Sequence, residues 1–203
     1  GTKIDGGFAD YFYVSSRFIK YGPIIKLEND ANMLLACLSE SVACVINGIE
    51  IVKKNKFNSI IILGSGYMGL VFCYLLKKKY KSKNITIIDN NNSRLKIAKD
   101  MGIKSTLCIN LKEKKLTDKI LKKNKMQKFD FVVSANNNMA SHKLCLDLVS
   151  KGGAINLFGG VPKNSDDTIK ISANKIHYEQ IHFTGSFSSN KNQLRSAYNF
   201  IKE

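Results

Sequence analysis

The chain is 203 residues long, with 44% hydrophobic residues and only two prolines, a composition that excludes an intrinsically disordered protein. Its 32 Lys and Arg outnumber 16 Asp and Glu, but the lysines are scattered through helix-like segments, which favours solvated helix faces over a nucleic-acid site. No apolar run approaches the roughly 18 to 20 residues of a membrane span and no secretion signal is visible, so we expect a soluble, cytoplasmic protein with no nucleic-acid or membrane partner.

Residues 1–58 differ in pattern from the rest of the chain. The segment GGFADYFYVS (6–15) predicts an extended piece with a glycine turn. The segment NMLLACLSESVACVINGIEIV (32–52) predicts one long helix with apolar residues on most of its faces. We interpret 1–58 as the tail of another domain with a linking helix, and 59–203 as a domain of its own.

From Ser59 onward, short β-branched runs alternate with amphipathic segments, the pattern of βαβ units that build a parallel sheet. Continuous apolar runs suit strands that are covered on both faces, so the predicted fold is α/β, a doubly wound parallel six-stranded sheet. A further short run, DTIKIS at 167–172, is interpreted as an edge or interface strand. The six predicted strands span 59–63, 84–89, 105–109, 129–135, 153–159 and 181–187.

Two segments between the strands carry helix-boundary signals. Asn92 or Ser93 is suited to cap a helix over 94–101, which Gly102 would end. Ser141 precedes a helical segment over 142–151, which Gly152 would end.

The first strand leads into a glycine-rich loop. Gly64, Gly66 and Gly69 are spaced as GxGxxG, directly after the apolar strand and at the opening of a helix, with Tyr67 and Met68 between the last two glycines. The first glycine permits a tight turn, the second lets the backbone approach a pyrophosphate, and the third lets the helix pack closely on the strand. Free N–H groups and the positive end of the helix then favour the anion. The pattern predicts a dinucleotide site of the Rossmann type.

Asp89 ends the second strand 20 residues after Gly69. A carboxylate at this place can accept hydrogen bonds from the adenosine ribose hydroxyls and would repel a 2′-phosphate, which favours NAD over NADP. Arg94 and Lys96 follow closely, and a basic side chain there is compatible with the phosphorylated cofactor. NADP therefore stays an alternative.

The histidines and cysteines show no metal-site spacing. His142, His177 and His182 fall on late helix or strand segments, and the five cysteines include no CxxC pair and no close Cys/His cluster. We expect packing or surface roles for the histidines and reduced, mostly buried thiols.

Several segments, in this order, resemble the zinc-dependent medium-chain alcohol and polyol dehydrogenases, in the sorbitol and threonine dehydrogenase branch. The similar segments are DGGFADYFYV, LSESVACVING, GSGYMGL, IIDNNNSRLKIAKDMG, LVSKGGAINLFGG and IHYEQIHFTGSF. The resemblance implies hydride transfer between an alcohol carbon and the nicotinamide, with a zinc ion polarising the oxygen. The protein itself orients the reactants.

The resemblance also implies roles for particular residues. Glu40 stands in place of the family's glutamate at the catalytic zinc, which makes it the candidate catalytic and metal-binding residue, although Ser41 replaces the proline that usually follows. The implied adenosine-side contacts are Ser134, Ala135 and Asn136, the last in a position where the family often has glycine. The implied nicotinamide-side contacts are Phe158, Gly159, Ser186 and Phe187.

The family's other zinc ligands, a cysteine and a His-Glu pair, have no counterpart in this sequence, and its four-cysteine zinc lobe is also missing. We therefore expect a fragment whose catalytic, GroES-like domain precedes Gly1 and whose return segment follows Glu203. Such a piece would bind the cofactor without turning over alcohol, and zinc would belong to the full-length enzyme. Pairing through the edge run at 167–172 would give a homodimer or homotetramer.

Two alternatives stay open. One is a zinc-free, NADPH-dependent quinone or enoyl reductase of the same fold. The other is a non-catalytic nucleotide-binding module that uses the net charge of +16. The particular alcohol or polyol is not identified, because most of its pocket would lie in the missing domain.

Overall fold

The computed structural model describes residues 9–52, 57–163 and 166–203. Contacts divide the chain into two compact units. The sheet unit is Cys44–Ser188, and the second unit comprises the described residues up to Ala43 together with Ser189–Glu203. The boundary predicted between residues 58 and 59 stays a prediction. In the structure, Gly48 in the second half of the long apolar segment contacts a strand, and the last helix contacts the short helix near residue 33.

Six strands form a single parallel sheet in the sheet unit. Their spatial order is β3-β2-β1-β4-β5-β6, and each neighbouring pair is parallel. This confirms the predicted α/β fold and all six predicted strands. Their bounds are β1 Ile60–Leu63, β2 Ile85–Asp89, β3 Ser105–Cys108, β4 Phe129–Ser134, β5 Val149–Leu157 and β6 His182–Gly185.

The central strands are apolar because helices cover them on both sides. Every residue of β1 and β2 is buried, and burial of each large aliphatic side chain contributes about 1.5 to 3 kcal/mol. The ring of Phe57 stacks on that of Phe131 in β4, with centroids 4.3 Å apart. The sheet is therefore a rigid base for the loops at its carboxyl edge.

Nine helices are assigned within the described residues, and five of them lie entirely in the sheet unit. These five are α4 Tyr67–Lys78, α5 Asn92–Asp100, α6 Leu116–Lys123, α7 Met139–Leu148 and α8 Ala173–Glu179. Helix α3 (Ser39–Glu50) crosses the division between the units. The second unit contains α1 Ser16–Tyr21, α2 Met33–Ala36 and α9 Lys191–Lys202.

Asparagine side chains shift two helix starts from their predicted positions. Asn91, and not Asn92 or Ser93, caps α5 by accepting a hydrogen bond from the backbone N–H of Arg94. Asn138 caps α7 and starts it three residues before the predicted segment. Helix α7 ends at Leu148 because the chain enters β5 there, pairing Val149 with Phe129.

The predicted long helix at 32–52 is two helices, α2 and α3, separated at Cys37 and Leu38. The stretch Met33–Glu50 is 18 residues with a mean hydropathy of 1.5, so its length and composition suffice to cross a membrane, contrary to the expectation from the sequence. Buried helices of protein cores meet the same criterion, and 39% of this stretch is buried. Its composition alone therefore does not identify a membrane segment.

Two extended segments predicted at the sequence level do not form strands. Of residues 6–15, only 9–15 are described, and these form neither helix nor strand. The edge strand predicted at 167–172 is wrong for the described chain, since no residue of this range is assigned to a strand. Instead the Asp166 carboxylate accepts a hydrogen bond from Thr168 N–H at 3.0 Å, and Ser172 caps α8.

The second unit contains a small polar cluster. The Glu28 carboxylate accepts hydrogen bonds from Lys202 Nζ at 2.6 Å and from the Tyr198 hydroxyl. These bonds, that of Lys202 first, lower the pKa of Glu28 to about 2. Both partners lie on α9, so the cluster fastens this helix to the segment before α2.

Candidate functional site

The turn from β1 into α4 begins with a glycine whose backbone conformation would be strained for any other residue. Gly64 has φ +106°, a value that L side chains rarely adopt. Its N–H donates to the Ile88 carbonyl at 2.8 Å, and a Cβ on it would lie 2.9 Å from the Ala135 carbonyl oxygen. The loop is thus held between β2 and the end of β4.

The other two glycines of the loop have different surroundings. A Cβ on Gly69 would lie 1.9 Å from the Gly64 carbonyl oxygen, so this glycine allows the helix to pack on the loop. A Cβ on Gly66 would have no described atom within 4 Å. Gly66 therefore faces open space, where a ligand could approach the backbone.

Gly66 is also the N-cap of α4, and within the described residues no side chain caps this helix. Tyr67 is half exposed and Met68 is partly buried in its first turn. Uncapped N–H groups at a helix N-terminus bind anions, because the positive end of the helix dipole lies there. The loop has the arrangement needed for a phosphate group.

Asp89 fastens this loop to the end of β2. Its side chain is only 8% exposed. One carboxylate oxygen accepts from Ser65 N–H at 2.6 Å and the other accepts from Asn91 N–H at 2.9 Å. Charge-assisted bonds of this kind are roughly twice as strong as neutral ones. The structure thus gives Asp89 a role in loop geometry that the sequence pattern did not predict.

A cleft of about 230 Å³ opens beside Asp89, at the carboxyl ends of the central strands. It lies where the strand order reverses between β1 and β4, which is the usual ligand position in such sheets. Asp89 and the exposed Arg94 line the same cleft. The other lining residues are Leu63, Gly64, Ile88, Asn90, Ile109, Leu111, Asn136, Asn137, Asn138 and Ser141.

Asn136 joins the end of β4 to the end of β1. Its Nδ2 donates to the Leu63 carbonyl at 2.9 Å, and its Oδ1 accepts from Asn138 N–H at 2.8 Å. Ala135 N–H donates to the same Leu63 carbonyl at 2.9 Å. The asparagine that replaces the family's glycine is therefore integrated into the wall of the cleft.

Ser134 and His142 form a buried pair that the sequence did not predict. Ser134 is fully buried, and its Oγ lies 2.7 Å from Nδ1 of His142. His142 is 4% exposed. Burial lowers its pKa below the usual 6.5, while a hydrogen bond to the backbone of Gly159 opposes that shift. The sequence predicts a packing or surface role for His142, and no spacing rule indicates these polar partners.

The residues predicted for the nicotinamide side differ in exposure. A Cβ on Gly159 would lie 2.0 Å from the Asn136 carbonyl oxygen, so these two segments touch through their backbones. Phe158 packs inward, edge-to-face on Phe72 at 4.9 Å between centroids. Phe187 is 94% exposed.

Two asparagines tie α3 to the carboxyl ends of β5 and β6. Asn156 is fully buried. Its Nδ2 donates to the Gly48 carbonyl at 2.7 Å, and its Oδ1 accepts from Ser186 Oγ at 3.1 Å. Asn47 Nδ2 donates to the Ser188 carbonyl at 2.9 Å. Sequence reasoning missed both asparagines, because no local motif links either one to a partner more than a hundred residues away.

Glu40 lies in the first turn of α3, in the second unit, and is exposed. No group of three or more His, Cys, Asp or Glu residues is placed to hold a metal ion in the described ranges. The described residues thus do not supply a zinc ligand set, and the metal role of Glu40 stays a prediction.

Comparison with known proteins places this geometry in context. Residues 68–203 match a family model described as zinc-binding dehydrogenase. D-altritol 5-dehydrogenase of Agrobacterium fabrum is 26% identical over 200 residues, covering 95% of this chain and 53% of that protein. Sorbitol dehydrogenase of Halalkalibacterium halodurans is 24% identical over 203 residues, covering 100% of this chain and 56% of that protein. The chain spans about half the length of these relatives.

Solved structures with the same fold include a short chain alcohol dehydrogenase from E. coli in complex with NADH. It has a TM-score of 0.74 and 18% identity, covering 88% of this chain and 50% of that one. A protein from Sinorhizobium meliloti, described as a zinc-binding dehydrogenase bound to NADP, has a TM-score of 0.75 and 17% identity. The match covers 87% of this chain and 51% of that one. At these identities the likeness shows the fold.

Proposed function

Since the chain belongs to the zinc-binding dehydrogenase family, we propose that it is the cofactor-binding part of an oxidoreductase that transfers a hydride between NAD and an alcohol, polyol or sugar alcohol. The open position at Gly66 carries this proposal. It is the one loop glycine at which a side chain would meet only empty space, beside uncapped N–H groups. A pyrophosphate needs that combination of backbone donors and room.

Each part of the site has a task in this proposal. The N–H groups at the start of α4 hold the pyrophosphate, and Asp89 keeps the loop in place while its remaining lone pairs accept from the ribose hydroxyls. Gly159, Ser186 and Phe187 follow β5 and β6, and we propose that they lie toward the nicotinamide. The bound cofactor supplies the hydride chemistry, and the chain orients it.

NAD is proposed over NADP because the Asp89 carboxylate, at the end of β2, would repel a 2′-phosphate. Arg94 lines the same cleft and supports the alternative, an NADPH-dependent reductase of the same fold without zinc. The two solved relatives contain NADH in one case and NADP in the other. The preference for NAD over NADP in this proposal rests on Asp89 in this chain's own cleft.

The remaining features of the enzyme are also proposals. Zinc would polarise the alcohol oxygen in the full-length enzyme, with Glu40 near it. The relatives named as altritol and sorbitol dehydrogenases support a polyol substrate. We further propose a cytoplasmic homodimer or homotetramer.

Fluorescence titration of the full-length protein with NADH and NADPH tests the cofactor assignment. We expect NADH to bind at least about tenfold more tightly, equivalent to about 1.4 kcal/mol. The Asp89→Asn variant lacks the carboxylate charge, so the ratio of the NADPH and NADH dissociation constants should be smaller than in the wild type. Equal binding of both cofactors by the wild type would contradict the NAD assignment, and absence of binding would contradict the proposed function.

Metal analysis of the full-length protein distinguishes a zinc-dependent dehydrogenase from the zinc-free reductase. One zinc per subunit would exclude the zinc-free reductase.

A further inference from the structure

Three contacts join the end of β4, helix α7 and the segment after β5 in a closed circuit. Gly159 N–H donates to the Ser134 carbonyl at 3.0 Å. Ser134 Oγ lies 2.7 Å from His142 Nδ1, and the His142 ring bonds to the backbone of Gly159. Ser134 and His142 are both buried, so water does not replace any of these contacts.

The circuit assigns the tautomer of His142. Gly159 N–H already donates to Ser134, so the ring donates to the Gly159 carbonyl through Nε2–H. Nδ1 is then the acceptor, and the Ser134 hydroxyl donates to it. Each ring nitrogen then has one partner, and burial, which lowers the pKa of His142, favours the neutral imidazole. A side chain with only one polar atom at this place would leave one partner unsatisfied.

This circuit contacts the wall of the cofactor cleft. Gly159 lies against Asn136, because a Cβ on it would come within 2.0 Å of the Asn136 carbonyl oxygen. Asn136 in turn donates to the Leu63 carbonyl at 2.9 Å, immediately before Gly64. A shift of Gly159 would therefore move Asn136 and, through Leu63, the glycine loop. Backbone contacts this close transmit small displacements, because packed interiors have little free volume.

We propose that His142 is a positioning residue for the dinucleotide site: by holding Ser134 and Gly159 at a fixed separation, it sets the distance between Asn136 and the glycine loop. His142 does not line the cleft itself. It acts through Gly159 and Asn136, and the inference rests on the proposed function. Its substitution should weaken cofactor binding more than an equally destabilising change elsewhere in α7.

Three variants of the full-length protein separate the two hydrogen bonds. His142→Gln retains a donor at the Nε2 position for Gly159, whereas His142→Asn retains an acceptor at the Nδ1 position for Ser134. His142→Leu removes both. The matched control is Leu148→Ala, which also removes a fully buried side chain of α7 but lies in the apolar core at the far end of the helix.

The readouts are the melting temperature and the NADH dissociation constant, measured well below the melting temperature of each variant. We expect His142→Leu to raise the dissociation constant about tenfold, with intermediate values for the Gln and Asn variants. In steady-state assays of the same variants, KM for the cofactor should rise while kcat at saturating cofactor changes less than about twofold. Leu148→Ala should lower the melting temperature and leave the dissociation constant within about twofold of wild type.

Two results would overturn the inference: wild-type affinity in the His142 variants, or an equal loss of affinity in Leu148→Ala at a similar loss of stability. If His142→Leu does not fold, the Gln and Asn variants still decide, because each keeps a polar side chain of similar size. A wild-type protein that binds no dinucleotide overturns the proposed function instead. The two failures are therefore distinguishable.

Discussion

Two groups of segments at the carboxyl edge of the sheet, the glycine-loop side and the β4–β5 side, are held in place in different ways. On the glycine-loop side, formed by Gly64–Gly69 and Asp89, the contacts are between main-chain atoms and one carboxylate, and Ser65 and Asp89 are 24 residues apart. On the β4–β5 side, formed by Ser134–Asn136 and Phe158–Gly159, buried side chains of His142 and Asn156 make the contacts. The bond from Asn156 to Gly48 spans 108 residues. Main-chain contacts and one carboxylate hold the first side, and buried polar side chains hold the second.

The strongest test of this comparison is to add one methyl group on each side. Gly69→Ala and Gly159→Ala should each destabilise the protein by about 3 kcal/mol, because the new Cβ would overlap a backbone oxygen at 1.9 and 2.0 Å. Urea unfolding of the full-length protein measures both. A large loss for Gly69→Ala with little for Gly159→Ala would mean that the β4–β5 side is loosely packed.

A methyl group at the open glycine separates binding from folding. Gly66 has φ −70° and ψ −177°, and no described atom is near its Cβ position. Gly66→Ala should therefore change the free energy of unfolding by no more than about 1 kcal/mol, because the less flexible unfolded chain and the poorer N-cap residue have opposite effects. The NADH dissociation constant should rise about 100-fold, or about 2.7 kcal/mol, because the methyl group occupies the space of the pyrophosphate. Tight NADH binding in this variant would show that the phosphates do not lie there.

Removal of a buried amide tests the β4–β5 side alone. Asn156→Ala leaves the Gly48 carbonyl without its donor, which should cost about 2 kcal/mol of stability. The matched control is Asn124→Ala, whose Nδ2 makes the same kind of bond, to the Gln127 carbonyl at 2.8 Å, in an exposed position. We expect about 0.5 kcal/mol there. Equal effects in urea unfolding would show that burial adds nothing to the Asn156 contact.

A pH series gives the smallest expected effect. Burial holds the pKa of His142 below its usual 6.5 in the folded protein, so the unfolded chain takes up a proton first as the pH falls. The free energy of unfolding is therefore unaffected by this titration above pH 6.5. It decreases as the pH falls from 6.5 to the lower folded-state pKa, by at most about 1.4 kcal/mol per pH unit. The neighbouring Cys145 thiol stays neutral there, since burial raises its pKa to about 12.

His142→Gln removes this titration and serves as the comparison at each pH. The difference in unfolding free energy between wild type and variant should narrow from about pH 8 to about pH 5. A constant difference over this range would show that His142 does not titrate differently in the folded and unfolded states.

The fold could be predicted almost completely from the sequence, because β-branched runs and glycines act locally. All six strands lie close to their predicted positions. The starts of helices α5 and α7 differ from their predicted positions, because Asn91 and Asn138 cap these helices. The strand predicted at 167–172 was wrong, although the run has the alternation of apolar and polar residues that is typical of a strand. The side chains of Asp166 and Ser172 accept hydrogen bonds from nearby backbone N–H groups instead. Such side-chain bonds compete with strand pairing.

The sequence by itself determined the parallel sheet, the glycine loop and the acidic residue beside it, because each follows from local sterics and from the periodicity of apolar residues. Only the tertiary structure decided that Asp89 fastens the loop and that His142 links Ser134 to Gly159. It also decided that Asn156 connects α3 to the strands. The physical reason is that a buried polar group must find its hydrogen-bond partner in space, and no spacing along the chain specifies which partner the fold will bring to it.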